Sequence, residues 1–546
     1  MGKCYLQIKG GLFVADRKSK VIPRAKFPEQ VGISSHEIRA LIDDFDRSGI
    51  EVHSMMLIRK GKVAYEAYRH PFNPQTPHTM YSVSKSFTSI AIGFAIDEGL
   101  LTLDTKVIDI FPEYRPKKYD ETLEKLTVFH LLTMTAGKDV SLLSDKTKDR
   151  WVKDFFDAKW AFEPGDGWRY ISENTYMCGA IIKKLTGMGM IDYLTPRLFK
   201  PLGINRRPFW ESDPQGLEAG GWGLFITTDE LARFMLCLHQ KGRYAGVQVI
   251  PEWYVEEATK KQVRNDNNDD RDAVCGYGFF FWRNAFKNSY RADGMFSQFG
   301  IVLEDYDAVL VFNCSEIFEQ KTRDAIFRHV PHMFIKPRRF KPSDGYEYDE
   351  LQLTPIKGLP AMRRSVVEEF IKGKTIRLTK NPILNAVGWP LSMLPLAVVY
   401  MSANRAGNID NIVLNFSENE CTMSWDEGKE HNTIVCGMDG EYRESKISLA
   451  DIDFTAVSTA AWVSEDSLEI RMRPLESVAE RRITLTFKGN GVTLTPESSP
   501  PLSTIASGIK DTVEAFISVE SLASLGGKAV MKLDRILEAP ISGKII

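Results

Sequence analysis

The 546-residue chain has no surplus of positive charge, no long unbroken apolar run and no paired-cysteine motif. Lys and Arg number 70 against 72 Asp and Glu, a formal net charge of -2. No basic excess exists to neutralise phosphates, so nucleic acid is not an expected partner. The seven cysteines, Cys4, Cys178, Cys237, Cys275, Cys314, Cys421 and Cys436, are odd in number and scattered. They read as reduced, mostly buried thiols rather than a disulfide framework. Met1 to Lys20 holds Lys3 and Lys9 but no apolar core followed by a small-residue cleavage site, so no signal peptide is read. The most apolar stretch, Pro382 to Met401, is broken by Asn385, Gly388, Pro390, Ser392 and Pro395, and its unbroken apolar runs are too short to span a bilayer. It reads as a buried strand or interdomain segment, and the expected location is cytoplasmic. The G-x-S-x-G elbow of α/β-hydrolases and the G-x-x-x-x-G-K-[ST] phosphate loop are both missing. His329-Val330-Pro331-His332 lacks an acidic third ligand and carries a proline between its histidines, which argues against zinc. The polar run Asn265–Asp272 fails as a calcium loop: with Asp266 as first ligand, Arg271 falls where glycine is required.

What is present is a globular composition, 43% hydrophobic and 26% charged, in a chain long enough for two or three domains. Val52–Ile58 and Val63–Tyr68 around Arg59-Lys60-Gly61-Lys62 predict a hairpin. A helix is expected from near Ser82, with Phe87, Ile90, Ala91, Phe94 and Ala95 at helical spacing and Gly99 as its C-terminal cap. Residues 126–134, 173–186 and 228–240 also read as helical, the last capped by Thr227 or Thr228. Tyr277–Trp282, Tyr290–Ala292, Phe299–Leu303 and Ala308–Asn313 read as successive antiparallel strands. Lys336 to Gly345 reads as a linker. Beyond it, Asn411–Phe416, Cys421–Trp425, Ser467–Met472, Arg482–Phe487 and Val492–Thr495 predict an antiparallel β-domain, with a helical tail from about Thr512 to Leu525.

Ser82-Val83-Ser84-Lys85 places a serine and a lysine one helical turn apart on one face. A serine hydroxyl needs a base, and a lysine can serve once burial or nearby charge lowers its pKa towards neutrality. A helix N-terminus adds free N–H groups and a positive end that suit an oxyanion. The bare pattern is weak, and Ser507-Gly508-Ile509-Lys510 repeats it by chance.

The segment Tyr81–Ser89 resembles the nucleophile segment of the beta-lactamase-like serine hydrolases. That superfamily includes penicillin-binding proteins, class C beta-lactamases, family VIII esterases, D-aminopeptidases and aminohexanoate-oligomer hydrolases. Glu98–Asp104, His130–Gly137 and Gly220–Leu224 followed by Thr227–Phe234 resemble further segments of it in the same order, over roughly residues 25–330. Phe162 to Thr175 resembles the second motif, with Tyr170 as its tyrosine, Ser172 in place of the commoner asparagine, and Asn174 two residues on. Ala292-Asp293-Gly294 is the best match to the third motif and lacks the family's leading cation. Arg291 precedes it and is expected on the opposite face, as a solvated strand residue.

The resemblance implies an α/β (α+β) transpeptidase-like domain with an antiparallel sheet and a helical region, assigned to residues 1–335. The linker and the change to alternating strands, not the resemblance, predict the smaller antiparallel β-domain after it, residues 350–546. The resemblance also implies Ser82, Lys85 and Tyr170 as catalytic residues. Tyr170 would act either as a phenolate base or as a neutral relay. Ser172, Asn174, Asp293, Gly294 and Met295 would line the substrate, with the Ser82 and Met295 N–H groups as oxyanion donors. The implied activity is hydrolysis of an ester or amide in a small or peptide-like substrate, without metal or organic cofactor. A D-amino-acid-specific peptidase and a catalytically silent binding protein are the alternatives, and a homo-oligomer is compatible with either.

Overall fold

The computed structural model describes residues 20–139, 150–213, 215–266, 271–337, 350–379, 391–394, 408–501, 503–504 and 538–546. Most of the expected linker, the helical tail, the second S-x-x-K copy and most of the apolar stretch at 382–401 lie outside them.

Among the described residues, one six-stranded antiparallel sheet runs in the order Trp282–Arg283, Ser289–Gly294, Gln298–Leu303, Ala308–Cys314, Val52–Arg59, Lys62–Tyr68. The predicted hairpin is its outer pair, with Met55 opposite Ala67 and Leu57 opposite Tyr65. Alternation along Val52–Arg59 sends Met55 and Leu57 to one face and Met56 and Ile58 to the other. On the first face Ile38, Leu41 and Phe45 of the helix Ser35–Ser48 meet Ile326 and Val330 of the helix Glu319–Met333. The second face is covered by the helix Thr228–His239, which belongs to the helical region. That helix starts at the expected cap: Thr227 accepts the Glu230 N–H, and the Glu230 side chain returns the bond. His130 has the same kind of role, its ring accepting the Thr127 N–H at 3.1 Å.

One expected strand is largely missing. Of Tyr277–Trp282, only Trp282 enters the sheet, as half of a two-residue edge strand. Phe280 adopts φ +61°, and its carbonyl and N–H are taken by the Ser86 hydroxyl and the Leu132 carbonyl. Those bonds tie the segment to the helical region instead of to a neighbouring strand.

A separate barrel follows. Its strands Thr375–Leu378, Ile409–Phe416, Glu420–Glu427, Glu430–Gly437, Arg443–Leu449, Ile452–Trp462, Ser467–Pro474, Glu480–Lys488, Gly491–Ser499 and Ile541–Ile545 form one curled antiparallel sheet. Its ends meet where Gly437 bridges Thr459 and Asn432 bonds with the Ser448 backbone. Alternate residues such as Met423, Trp425, Ile470, Leu485 and Leu494 fill the interior. Leu391, Met393 and Leu394, from the apolar stretch, join that core. No helix among the described residues is long and apolar enough to cross a membrane.

Candidate active site

The strand His78–Thr79 leads into a short turn, Tyr81–Val83, which runs directly into the helix Ser84–Asp97. Ser82 is on that turn, half-buried, and Lys85 is in the first turn of the helix. This helix is buried nearly all round, although it is rich in hydroxyl groups. Each hydroxyl is used. Ser84 Oγ accepts the Leu224 N–H at 3.2 Å, Ser86 donates to the Phe280 carbonyl at 3.0 Å, and Thr88 donates to the Gly220 carbonyl at 2.8 Å. The Ser84–Asp97 helix is thereby stitched to the Gly220–Leu224 segment on one side and to Phe280 on the other.

Lys85 is 1% exposed. Its Nζ lies 2.8 Å from Ser82 Oγ, 3.0 Å from Ser172 Oγ and 2.8 Å from the Gly221 carbonyl oxygen. The Tyr170 ring packs against it, centroid 4.8 Å from Nζ, and the Tyr170 hydroxyl is hydrogen-bonded with Ser82. Burial pulls the Lys85 pKa down to about 7, against the opposing pull of Glu173 and Asp293. Burial pushes the Tyr170 phenol well above its ordinary value, which favours a neutral phenol over a phenolate. Tyr170 belongs to an aromatic group with Trp168, Tyr277 and Trp282, and its ring is 5.3 Å from that of half-buried Trp282.

Of the residues that sequence reading assigned to the site, Ser82, Lys85, Tyr170 and Ser172 therefore converge on one amine. Ser172 meets Lys85 from the first turn of the helix Ser172–Thr186. Asn174, one turn position further, is fully buried, and its Nδ2 faces Met134 Sδ at 3.5 Å rather than Lys85. Gly294 packs on the Tyr81–Val83 turn: a Cβ there would overlap the Met80 carbonyl oxygen and press on Val83. Met295 follows it and packs against Tyr81, Phe296 and their apolar neighbours.

The reading of Arg291 needs correction. It is 1% exposed rather than solvated, and it shares the Asp293 side of its strand, two residues away. Arg291 Nε donates to Asp293 Oδ2 at 2.5 Å, and Nη1 reaches Asn284 Oδ1 at 2.7 Å and the carbonyls of Asp272 and Arg283. Arg323 lies 3.5 Å from the same carboxylate. A buried carboxylate holds its charge only when paired, and Asp293 supplies the pairing that draws Arg291 inward. Ala292, at the head of the motif, puts its methyl group into the core. The Gly221 carbonyl is the site group that sequence reading missed. Every residue has a carbonyl, so the paired glycines at 220 and 221 were its only signal.

The Beta-lactamase family model matches residues 38–328, more than half of the chain. Esterase EstB of Burkholderia gladioli is 28% identical over 183 residues, 30% of this chain and 46% of that protein. The 6-aminohexanoate-dimer hydrolase of Paenarthrobacter ureafaciens is 27% identical over 236 residues, 40% of this chain and 59% of that protein. The chain thus spans about half the length of these curated relatives. Among solved structures, a penicillin-binding protein homologue from Caulobacter crescentus aligns over 55% of this chain and 99% of its own, with 18% identity and a TM-score of 0.44. With the family match extending from the helix Ser35–Ser48 to the helix Glu319–Met333, across every strand and turn that builds the site, the chain belongs to the beta-lactamase family.

Proposed function

We propose that the protein is a serine hydrolase that cleaves an ester or amide of a small or peptide-like substrate through an acyl-enzyme on Ser82. The observation that carries this reading is the Lys85 amine, 2.8 Å from Ser82 Oγ with its pKa drawn down to about 7. A neutral Lys85 accepts the Ser82 proton while still donating to Ser172 and to the Gly221 carbonyl. Ser82 Oγ then bonds to the substrate carbonyl carbon, and the oxyanion is met by the Ser82 and Met295 N–H groups. The proton held on Lys85 passes to the leaving group, with the neutral Tyr170 hydroxyl, bonded to Ser82, as the relay. Water attacks the acyl-enzyme by the reverse proton path and frees Ser82. No step calls on a metal or organic cofactor.

The names of the relatives, an esterase and a 6-aminohexanoate-dimer hydrolase, are compatible with this reading. The test is intact mass after fluorophosphonate treatment, followed by peptide mapping. The adduct is expected on Ser82. A label mapped to Ser84 or Ser507 overturns the assignment.

A further inference from the structure

The barrel takes no part in the mechanism above, yet it touches both turns on which that mechanism depends. Its Pro474–Ala479 loop lies against the strand leading to the nucleophile. The Glu476 carbonyl accepts the Thr79 N–H at 2.8 Å, and the Val478 carbonyl accepts the Ser315 hydroxyl at 2.7 Å. The Glu476 carboxylate in turn accepts the Thr455 N–H at 3.0 Å, which anchors the loop in the barrel wall. Tyr81, immediately before the nucleophile, has φ +43°, and Phe296, immediately after Met295, has φ +62°. Their rings are 5.2 Å apart, and both are part of the barrel's apolar core, against which Met295 also packs. Backbone of this kind persists only where the surroundings over-determine it, and here the surroundings include the barrel.

A buried polar chain runs alongside. Arg473, 4% exposed at the end of the strand Ser467–Pro474, donates from Nη1 to Glu51 Oε1 at 2.7 Å and lies 3.5 Å from Glu480. Glu51 Oε1 is 2.9 Å from His53 Nε2, His53 Nδ1 is 3.0 Å from His78 Nε2, and His78 Nδ1 is 2.9 Å from the Thr79 carbonyl. Burial holds His53 down to about 4 and His78 to about 3, so both rings are neutral near pH 7. A carbonyl only accepts, so His78 Nδ1 donates to Thr79. His53 bridges His78 and the Glu51 carboxylate, and Arg473 brings a further donor and a positive charge to that carboxylate.

We propose that the barrel is a working part of the acyl-transfer site. Through Arg473 and the Pro474–Ala479 loop it fixes the two turns that carry the Ser82 and Met295 amides, and Arg473 is a positioning residue for the oxyanion-stabilised step. The proposal rests on acyl transfer at Ser82.

The test uses the full-length chain with p-nitrophenyl butyrate and a fluorophosphonate. In Arg473→Ala, kcat is expected to fall by about 30-fold or more, approaching the loss of an oxyanion donor, with KM within about threefold. The labelling rate at Ser82 should fall in parallel. Arg473→Lys should return kcat to within about tenfold of the parent, because a cationic donor is restored. Trp425→Phe, inside the barrel, should lower Tm and leave kcat unchanged. If Arg473→Ala does not fold, Ser315→Ala removes only the hydroxyl held by Val478, and kcat should fall by about threefold to tenfold. Parental kcat and labelling in either variant overturns the proposal, even with a lower Tm. An equal kcat loss in Trp425→Phe at matched Tm also overturns it. A parent protein that never labels at Ser82 sinks the nucleophile reading and this proposal together, whereas a labelled parent with an unaffected Arg473→Ala sinks this proposal alone.

Discussion

Varying pH probes Lys85 directly. Burial draws this amine from its ordinary pKa of 10.5 down to about 7, which sets roughly 5 kcal/mol against the charged form. At 1% exposure there is little solvent to screen that cost. At pH 8 about 90% of such an amine is neutral, against about 0.3% of an unshifted one, a difference of about 300-fold in available base. Log kcat/KM should therefore rise by about one per pH unit below 7 and level off above about 7.5. Tyr170, pushed upward by burial, should add no limb on the alkaline side below pH 10. Glu173 is one of the two carboxylates that oppose the shift, so Glu173→Gln should move the acid limb to lower pH. Stability gives a second readout. Between pH 7 and 10.5 the unfolded chain holds the Lys85 proton and the folded one does not, so the cost of this buried lysine is full below pH 7 and fades as pH rises. Replacing it by Met should accordingly benefit Tm more at pH 6 than at pH 9.5. A kcat/KM that climbs log-linearly through pH 9, or a Lys85→Met effect on Tm equal at both pH values, would refute the reasoning.

Tyr170→Phe and Lys85→Ala should each cut kcat by about 100-fold or more on a p-nitrophenyl ester, and the double variant should lose little beyond the worse single one, since the two share Ser82. Gly294→Ala forces a methyl group into the Met80 carbonyl, so steady-state kinetics should show kcat down by about tenfold or more, and Tm should fall with a cost of about 1–3 kcal/mol. Nitrocefin should be a poor substrate beside p-nitrophenyl butyrate. Ala292 offers no cation and Arg291 is committed to Asp293, which forfeits a charge-assisted contact to the beta-lactam carboxylate of roughly 1.5–3 kcal/mol, about tenfold to a hundredfold. Efficient turnover of the cephalosporin would contradict this.

Much of the N-terminal domain was legible because its signals are local. The hairpin at 52–68, the helix cap at Thr227 or Thr228 and the S-x-x-K spacing each depend on neighbours in sequence. What escaped depends on partners that only the folded backbone brings into reach. Arg291 reads as a surface residue until Asp293 and Asn284 are brought to it, and Phe280 reads as strand until Ser86 claims its carbonyl. In the barrel, Ile452–Trp462 went unread because its alternation breaks at Val457 and Ser458, where both faces are buried. Ala456 and Ala460 point into the barrel core, while Val457 packs with Phe72 of the preceding domain and Thr459 bonds the Leu359 N–H. A strand covered on both sides keeps little alternation to find. Glu430–Gly437 and Arg443–Leu449 were passed over for the opposite reason, since their polar residues outweigh the alternation beneath.

The doubly covered strand also governs how the chain can be handled in pieces. An N-terminal fragment cut away before the barrel would bring Tyr81, Phe296, Ile317 and Phe72 into water together, since their cover is supplied by barrel residues. The isolated barrel would bare Val457 and Leu475 in return. Each half would carry an adhesive patch with the shape of its lost neighbour. Truncation is thus a route to aggregation, and co-expression of the two halves as separate chains is the arrangement expected to keep both in solution.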